Sequence, residues 1–279
     1  MKIYISVDME GITGITHKAQ VSRDIGGVEY TRGCKLVTDD VNAAVEGIYE
    51  VDSNAEVVVN DAHGKSQNLI FEDMDERIKL LRGSAEYHDM VMGIDESYDA
   101  LMLIGYHSNL KTKDAVLCHA WGLSDLFFNG RDSGEISISA YAAGHFDVPL
   151  VLVTGDGSIR DEMGFLTNEY GKIEQVHVKE GLNRYTALCL HPKMSRRLIK
   201  EGAINALKNL NAIQPAKLTP PIKMEMHFTD PGQADSAAMM PGAERIGPMS
   251  TLYTGDHFMQ INSAFYTQVR LGTRVWLNY

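Results

Sequence analysis

The chain has 279 residues, 44% of them hydrophobic and 23% charged, an ordinary globular composition with core enough for one large or two modest domains. With 26 basic against 37 acidic residues the net charge is −11, and no basic stripe is present, so nucleic acid is not an expected partner. Cys34, Cys118 and Cys189 are far apart and form no C-x-x-C pair, which argues against a disulfide framework and for a reducing interior.

Met1-Lys2 runs straight into an apolar segment without the charged and apolar regions of a signal peptide. No apolar stretch approaches the roughly 18 residues of a membrane span. A soluble, cytoplasmic protein with no membrane partner is expected. Residues 3–8 read as a buried strand. Leu36, Val37, Val41, Ala44, Val45 and Ile48 recur at helical spacing and predict a helix over 29–51. Residues 55–60 and 100–105 are short apolar strands, 135–146 an Ala- and Ile-rich helix, and 149–154 a further buried strand. This alternation predicts an α/β fold with a largely parallel sheet and helices on both faces.

The second part of the chain differs. Ile173–Val178 and Tyr185–Leu190 read as strands, Pro192 opens a helix to about Leu210, 222–228 is a strand and 256–277 a final helix. A soft domain boundary is expected near residue 190. It separates a catalytic α/β domain (1–190) from a smaller α+β domain (191–279), with the possibility that the chain crosses between them more than once.

Three of the apolar runs stop at metal-type groups. Ile3-Tyr4-Ile5-Ser6-Val7 ends at Asp8 and Glu10; Val57-Val58-Val59 ends in Asn60-Asp61-Ala62-His63; Leu101-Met102-Leu103-Ile104 ends in Gly105-Tyr106-His107. In open α/β sheets, ligands collect outside the carboxyl ends of the strands. Two carboxylates and two imidazoles on that edge can hold one zinc-like ion or two. Glu135 follows Gly134 at a helix start, where backbone N–H groups favour negative charge. Taken singly, each of these residues has an ordinary structural role available; together they point to a metal site. His119, at the end of Ala115-Val116-Leu117-Cys118, is open between further ligand, general acid or base, and core histidine. Gly11-Ile12-Thr13-Gly14 lacks the dinucleotide spacing, and Gly155-Asp156-Gly157-Ser158 reads as a βα turn before it reads as an anion cradle.

Ser6-Val7-Asp8-Met9-Glu10-Gly11-Ile12-Thr13-Gly14, Val59-Asn60-Asp61-Ala62-His63-Gly64-Lys65, Gly105-Tyr106-His107, Asn129-Gly130-Arg131 and Gly134-Glu135 resemble the zinc-dependent D-aminopeptidase family of the dipeptide-transport-operon type, peptidase family M55. The likeness runs nearly the whole length, through Leu218-Thr219-Pro220-Pro221, Gly232-Gln233-Ala234 and Met240-Pro241-Gly242. The resemblance implies a Rossmann-like three-layer α/β domain with a smaller α+β domain. It implies two zinc ions held by Asp8, Glu10, His63, His107 and Glu135, with His119 matching the family's catalytic histidine. It also implies short peptide substrates and a homodecamer of two stacked pentameric rings. The surroundings Leu117-Cys118-His119-Ala120-Trp121 depart from the family's Ser-His-Ser, so Cys118 and Trp121 are candidates for reshaping the substrate pocket. The expected activity is removal of the N-terminal residue from short peptides, D-configured by resemblance. The rivals are a metal-dependent amidase or phosphoesterase with the same ligands, and a non-catalytic peptide-binding protein.

Overall fold

The computed structural model describes residues 1–83 and 90–273. β1 (Lys2–Val7) is buried through Ile3, Tyr4, Ile5 and Val7, and a strand with no polar face needs cover on both sides. α1 (Arg23–Val51) returns the chain; Gly27, at φ 50°, breaks its first turns, and the later turns bury Val37, Val41, Ala44, Val45 and Ile48 on one stripe. β2 (Glu56–Asp61), β3 (Lys79–Leu81) and β4 (Ala100–Tyr106) follow. β5 (Leu123–Phe128) and β6 (Arg131–Asp132) are joined by Asn129 at φ 51° and Gly130 at φ 79°. Two successive positive φ angles are the mark of the I′ hairpin turn, which Asn-Gly adopts most readily.

After α2 (Glu135–His145) come β7 (Leu150–Asp156), α3 (Arg160–Tyr170), β8 (Glu174–Asn183) and β9 (Thr186–Cys189). α4 (Pro192–Lys208) begins with proline in its first turn, as expected. β10 (Ile222–Phe228), α5 (Pro231–Ala237), β11 (Glu244–Gly247), β12 (Ser250–Gly255) and α6 (Phe258–Thr273) complete the described chain.

The strands form two sheets. The larger has the order β3-β2-β1-β4-β7-β8-β9, parallel except for the β8–β9 hairpin at its edge. This is the mixed α/β architecture expected from the alternation of strands and helices. The order reverses between β1 and β4, the switch point at which such sheets bind ligands. The smaller sheet is antiparallel, β11-β12-β10-β5-β6. Its strands β5, β6, β11 and β12 are not among the elements expected from the sequence. β5 alternates buried and half-buried residues too weakly to stand out, and β6 is two residues long.

β5 and β6 thus join the strands of the carboxyl-terminal part, while α4 packs on α1 beside the larger sheet. We propose that the smaller α+β unit is discontinuous, taking in 123–132 together with the chain from 222 onward. The apolar face of α6 lies inside the subunit: Phe258 packs edge-on against Phe128, and Phe265 against Trp121. Ile261 is buried and Val269 half-buried beside them; Trp276, at the far end of the expected helix, lies outside the described residues.

Candidate metal centre

β2, β1 and β4 are parallel neighbours, so their carboxyl ends lie side by side and bring Asp8, Glu10, His63 and His107 to one edge. Glycine allows the closest approach. Gly11 N donates to Gly105 O at 2.7 Å, and a Cβ on Gly11 would sit 2.0 Å from Tyr106 O. Glu135 arrives as the first residue of α2, and His119 from the loop before β5.

The six side chains form two triads that meet at Asp8. In one, His63 Nδ1 lies 2.8 Å from Asp8 Oδ1 and 3.1 Å from Glu10 Oε2. In the other, His107, His119 and Glu135 present ligand-type atoms within 4.8 Å of one another. Asp8 Oδ2 is 3.6 Å from His107 Nε2, which is 3.5 Å from Glu135 Oε1. Asp8 therefore turns one oxygen to each triad.

The remaining valences fit a metal. Asp8 Oδ2, Glu10 Oε2 and His107 Nε2 are buried without a hydrogen-bond partner among the described residues, a costly condition for polar atoms unless they coordinate something. Each histidine directs its other nitrogen at a backbone carbonyl: His63 Nε2 at Val21 O, His107 Nδ1 at Ser108 O, and His119 Nδ1 at Leu117 O, at 2.8, 2.8 and 3.1 Å. With a cation in place of the inward proton, donation there would fix the tautomer and leave the inward nitrogen as the lone-pair donor.

The electrostatics already favour positive charge at this point. Burial by itself would lower the His107 pKa, but the charges of Glu135 and Asp8 outweigh it and push it up to about 10. His63 is likewise held well above its ordinary value: burial opposes the charge, and Glu10 and Asp8 overcome that. Burial, reinforced by the charge of Glu10, raises Asp8 to about 6. For Glu10 and Glu135 burial is outweighed by the neighbouring imidazoles, and both stay below the ordinary carboxyl value.

Residues 1–267 match the peptidase M55 family, described as D-aminopeptidase. The chain belongs to that family. A D-aminopeptidase of Bacillus subtilis (strain 168) is 32% identical over 279 residues, 98% of either chain. The solved structure of the Zn-dependent D-aminopeptidase DppA from Bacillus subtilis, a self-compartmentalizing protease, superposes with a TM-score of 0.92 at 29% identity, again over 98% of each chain.

Around the M55 cluster stand residues for which the sequence offered no role. Lys179, on β8, is buried, and its ammonium donates to the carbonyls of Glu10, Ile12 and Ile15 at 2.5, 3.1 and 2.6 Å, clamping the loop that carries Glu10. Burial lowers its pKa to about 8. Glu162, on α3, accepts from Gly134 N and Ser137 N, both at 3.0 Å, and from the Ser137 hydroxyl, holding the start of α2 and with it Glu135. Asp61 accepts from Asn68 N and Nδ2, each at 2.6 Å, and Asn68 Nδ2 lies 2.7 Å from His63 O, which fixes the loop after β2. Asp61, inside the 59–65 motif, had a visible signal; a lone lysine or glutamate in a later element gives none. Asp156, at the turn read as a possible anion cradle, accepts from Ser158 N and from Val116 N in the His119 loop.

A cavity of about 450 Å³ opens onto the first triad; Glu10, His63 and His119 line it. The His119 side chain is 42% exposed, whereas Glu135 beside it is 5% exposed. Its ring stacks on His107 with centroids 4.3 Å apart. Trp121 turns to Phe265 and Tyr266, and the buried Cys118 sulfur to Leu110 O at 3.3 Å. Trp121 and Cys118 thus brace the loop that carries His119.

Proposed function

We propose that this aminopeptidase works with two zinc ions, one held by Asp8, Glu10 and His63 and the other by Asp8, His107 and Glu135, with His119 as the catalytic side chain. Membership of the D-aminopeptidase family makes the chain a metal-dependent aminopeptidase. The observation that carries the dinuclear reading is the sharing of Asp8 between two triads whose inward atoms are buried and unpartnered. Zinc would polarise the scissile carbonyl and lower the pKa of a bound water to about 7.

The chain supplies the rest. Glu10, which lines the cavity, would offer negative charge to the free amino group of the substrate and so restrict cleavage to the first bond. His119 holds its Nε2 3.8 Å from Glu135 Oε1 at the cavity wall, where it can pass a proton to the departing amine or steady developing negative charge. We favour that role over direct attack by the imidazole, because water activated at a metal is the stronger nucleophile toward an amide. The substrates are short peptides of D configuration, and the assembly a decamer of two pentameric rings in the cytoplasm. Support for the assembly comes from the DppA relative, described as self-compartmentalizing; none of the described helices is long and apolar enough to cross a membrane.

The test is elemental analysis of protein purified without chelator and saturated with zinc, joined to turnover of D- and L-dipeptides before and after chelation. Two zinc per subunit and chelator-sensitive cleavage of D-dipeptides are expected. A content of zero overturns the metal site, and a content of one the dinuclear mechanism. Hydrolysis of phosphoesters in place of peptides would favour the phosphoesterase alternative, and binding without turnover the peptide-binding one.

A further inference from the structure

The cavity wall carries an unusual charge for a chain of net −11: Lys18, Arg23, Lys65 and Arg184 face it, against Asp24 and the metal-site Glu10. Arg23 is engaged, donating to Gln67 at 3.0 Å, and Lys65 stands 3.8 Å from Asp24. Arg184 is different. It sits at the tip of the β8–β9 hairpin, and its side-chain hydrogen bonds to described residues all run through Nη1: to Cys118 O at 2.6 Å and to the Cys118 sulfur at 3.6 Å. Leu117 N in turn donates to Arg184 O at 3.0 Å. The hairpin tip and the His119 loop are thus tied together, and the guanidinium is fixed one residue from His119 with Nε and Nη2 uncommitted among the described residues.

We propose that Arg184 binds the free carboxylate at the carboxyl end of the substrate, making this a site for short anionic peptides, dipeptides above all. The proposal rests on the aminopeptidase reading for the position of the scissile bond. A residue spans about 3.3–3.6 Å of extended chain, so a dipeptide whose peptide bond lies beside His119 ends about one residue further on, within reach of a guanidinium tethered to Cys118. Arginine's planar fork suits a carboxylate, and a side chain already held by one nitrogen loses little freedom on binding. Each added residue carries the carboxylate about 3.5 Å past this position, which weakens the contact for longer peptides.

The experiment is calorimetric binding to the zinc-loaded protein of two probes that cannot be cleaved: D-alanyl-D-alanine with its peptide carbonyl replaced by methylene, and the same compound as its carboxyl-terminal amide. Wild type should bind the carboxylate about tenfold to a hundredfold more tightly than the amide. In Arg184→Gln, which keeps an amide donor for Cys118 O, the two affinities should converge to within about twofold. Equal affinities in wild type, no binding of either probe, or a preference that survives in Arg184→Gln would each overturn the proposal. An equal loss of both affinities in Arg184→Gln would do so too, since it would mark Arg184 as a brace for the His119 loop. Carboxylate preference in a protein that fails to cleave D-alanyl-D-alanine would instead overturn the aminopeptidase reading and leave the anchor standing.

Discussion

Asp8 is the residue on which both triads depend, because its two oxygens face different histidines. Asp8→Ala should therefore remove both zinc ions, whereas Glu10→Ala should remove one and leave the other; zinc content after dialysis at fixed free zinc distinguishes them. His119→Ala should keep the metal content near wild type while lowering kcat by on the order of 10²–10⁴-fold, the usual worth of a positioned proton-transfer group. Parallel loss of zinc and rate would make His119 a ligand, as its place in the second triad allows. Away from the site, Asp40 on α1 is buried, accepts from Thr13 N at 3.1 Å, and has its pKa raised by burial from 3.8 to about 6. A raised carboxyl pKa means that the native state binds more protons than the unfolded chain between those values. Its contribution to stability is thus full below about pH 4 and is lost as the pH rises through about 6. Asp40→Asn, which keeps an acceptor for Thr13, should remove that loss. Urea denaturation should show the variant's stability relative to wild type growing by about 1–3 kcal/mol between pH 4.5 and pH 7.5.

Among the elements, β8 acts at a distance through one side chain. Lys179 satisfies three carbonyls of the segment from Glu10 to Ile15, so Lys179→Met would leave buried acceptors unpaired at a cost of about 1–3 kcal/mol or more. Thermal unfolding should register that loss. Because the loop carries Glu10, zinc affinity at the first triad should fall more than at the second, which can be read by competitive chelation. α2 is held differently, with Glu162 standing in for a side-chain cap at its first turn. The smaller sheet shows where local signals were present but weak. Asn129-Gly130 between Phe127-Phe128 and Arg131 is a hairpin signal in its own right, yet the strands it joins are short and only half alternating. The helices were more legible: the spacing of Val37, Val41, Ala44 and Ile48 on α1 places the end of that element at Val51, while its start at Arg23 lies before the expected residue 29, on the far side of the break at Gly27.

For the whole molecule, light scattering should report a mass near ten times the 30.9 kDa chain if the rings proposed from the family form. A stable monomer that cleaves dipeptides would remove the compartment while leaving the metal chemistry in place. The apolar residues of α6 offer little toward that assembly, since Phe258, Ile261 and Phe265 are buried within the subunit. Exposed apolar side chains lie elsewhere, at Leu182, Tyr185 and Leu188 on the β8–β9 hairpin and at Met239 and Ile246 near the smaller sheet.

By itself the sequence determined that β1, β2 and β4 are buried strands and that each runs into carboxylate or imidazole, because a strand covered on both faces is continuously apolar and its end is abrupt. It also carried the six chemically distinctive residues of the cluster, which side-chain type alone makes conspicuous. Which of them share a neighbour was decided only by the tertiary structure. Asp8 meets both His63 and His107 because β1 lies between β2 and β4, an order that no local pattern encodes. Likewise Lys179 reaches Glu10 across 169 residues of chain, and Arg184 reaches Cys118 across 66. Periodicity records whether a residue is buried; what it is buried against depends on strand order and crossovers, which become fixed only when the whole core packs.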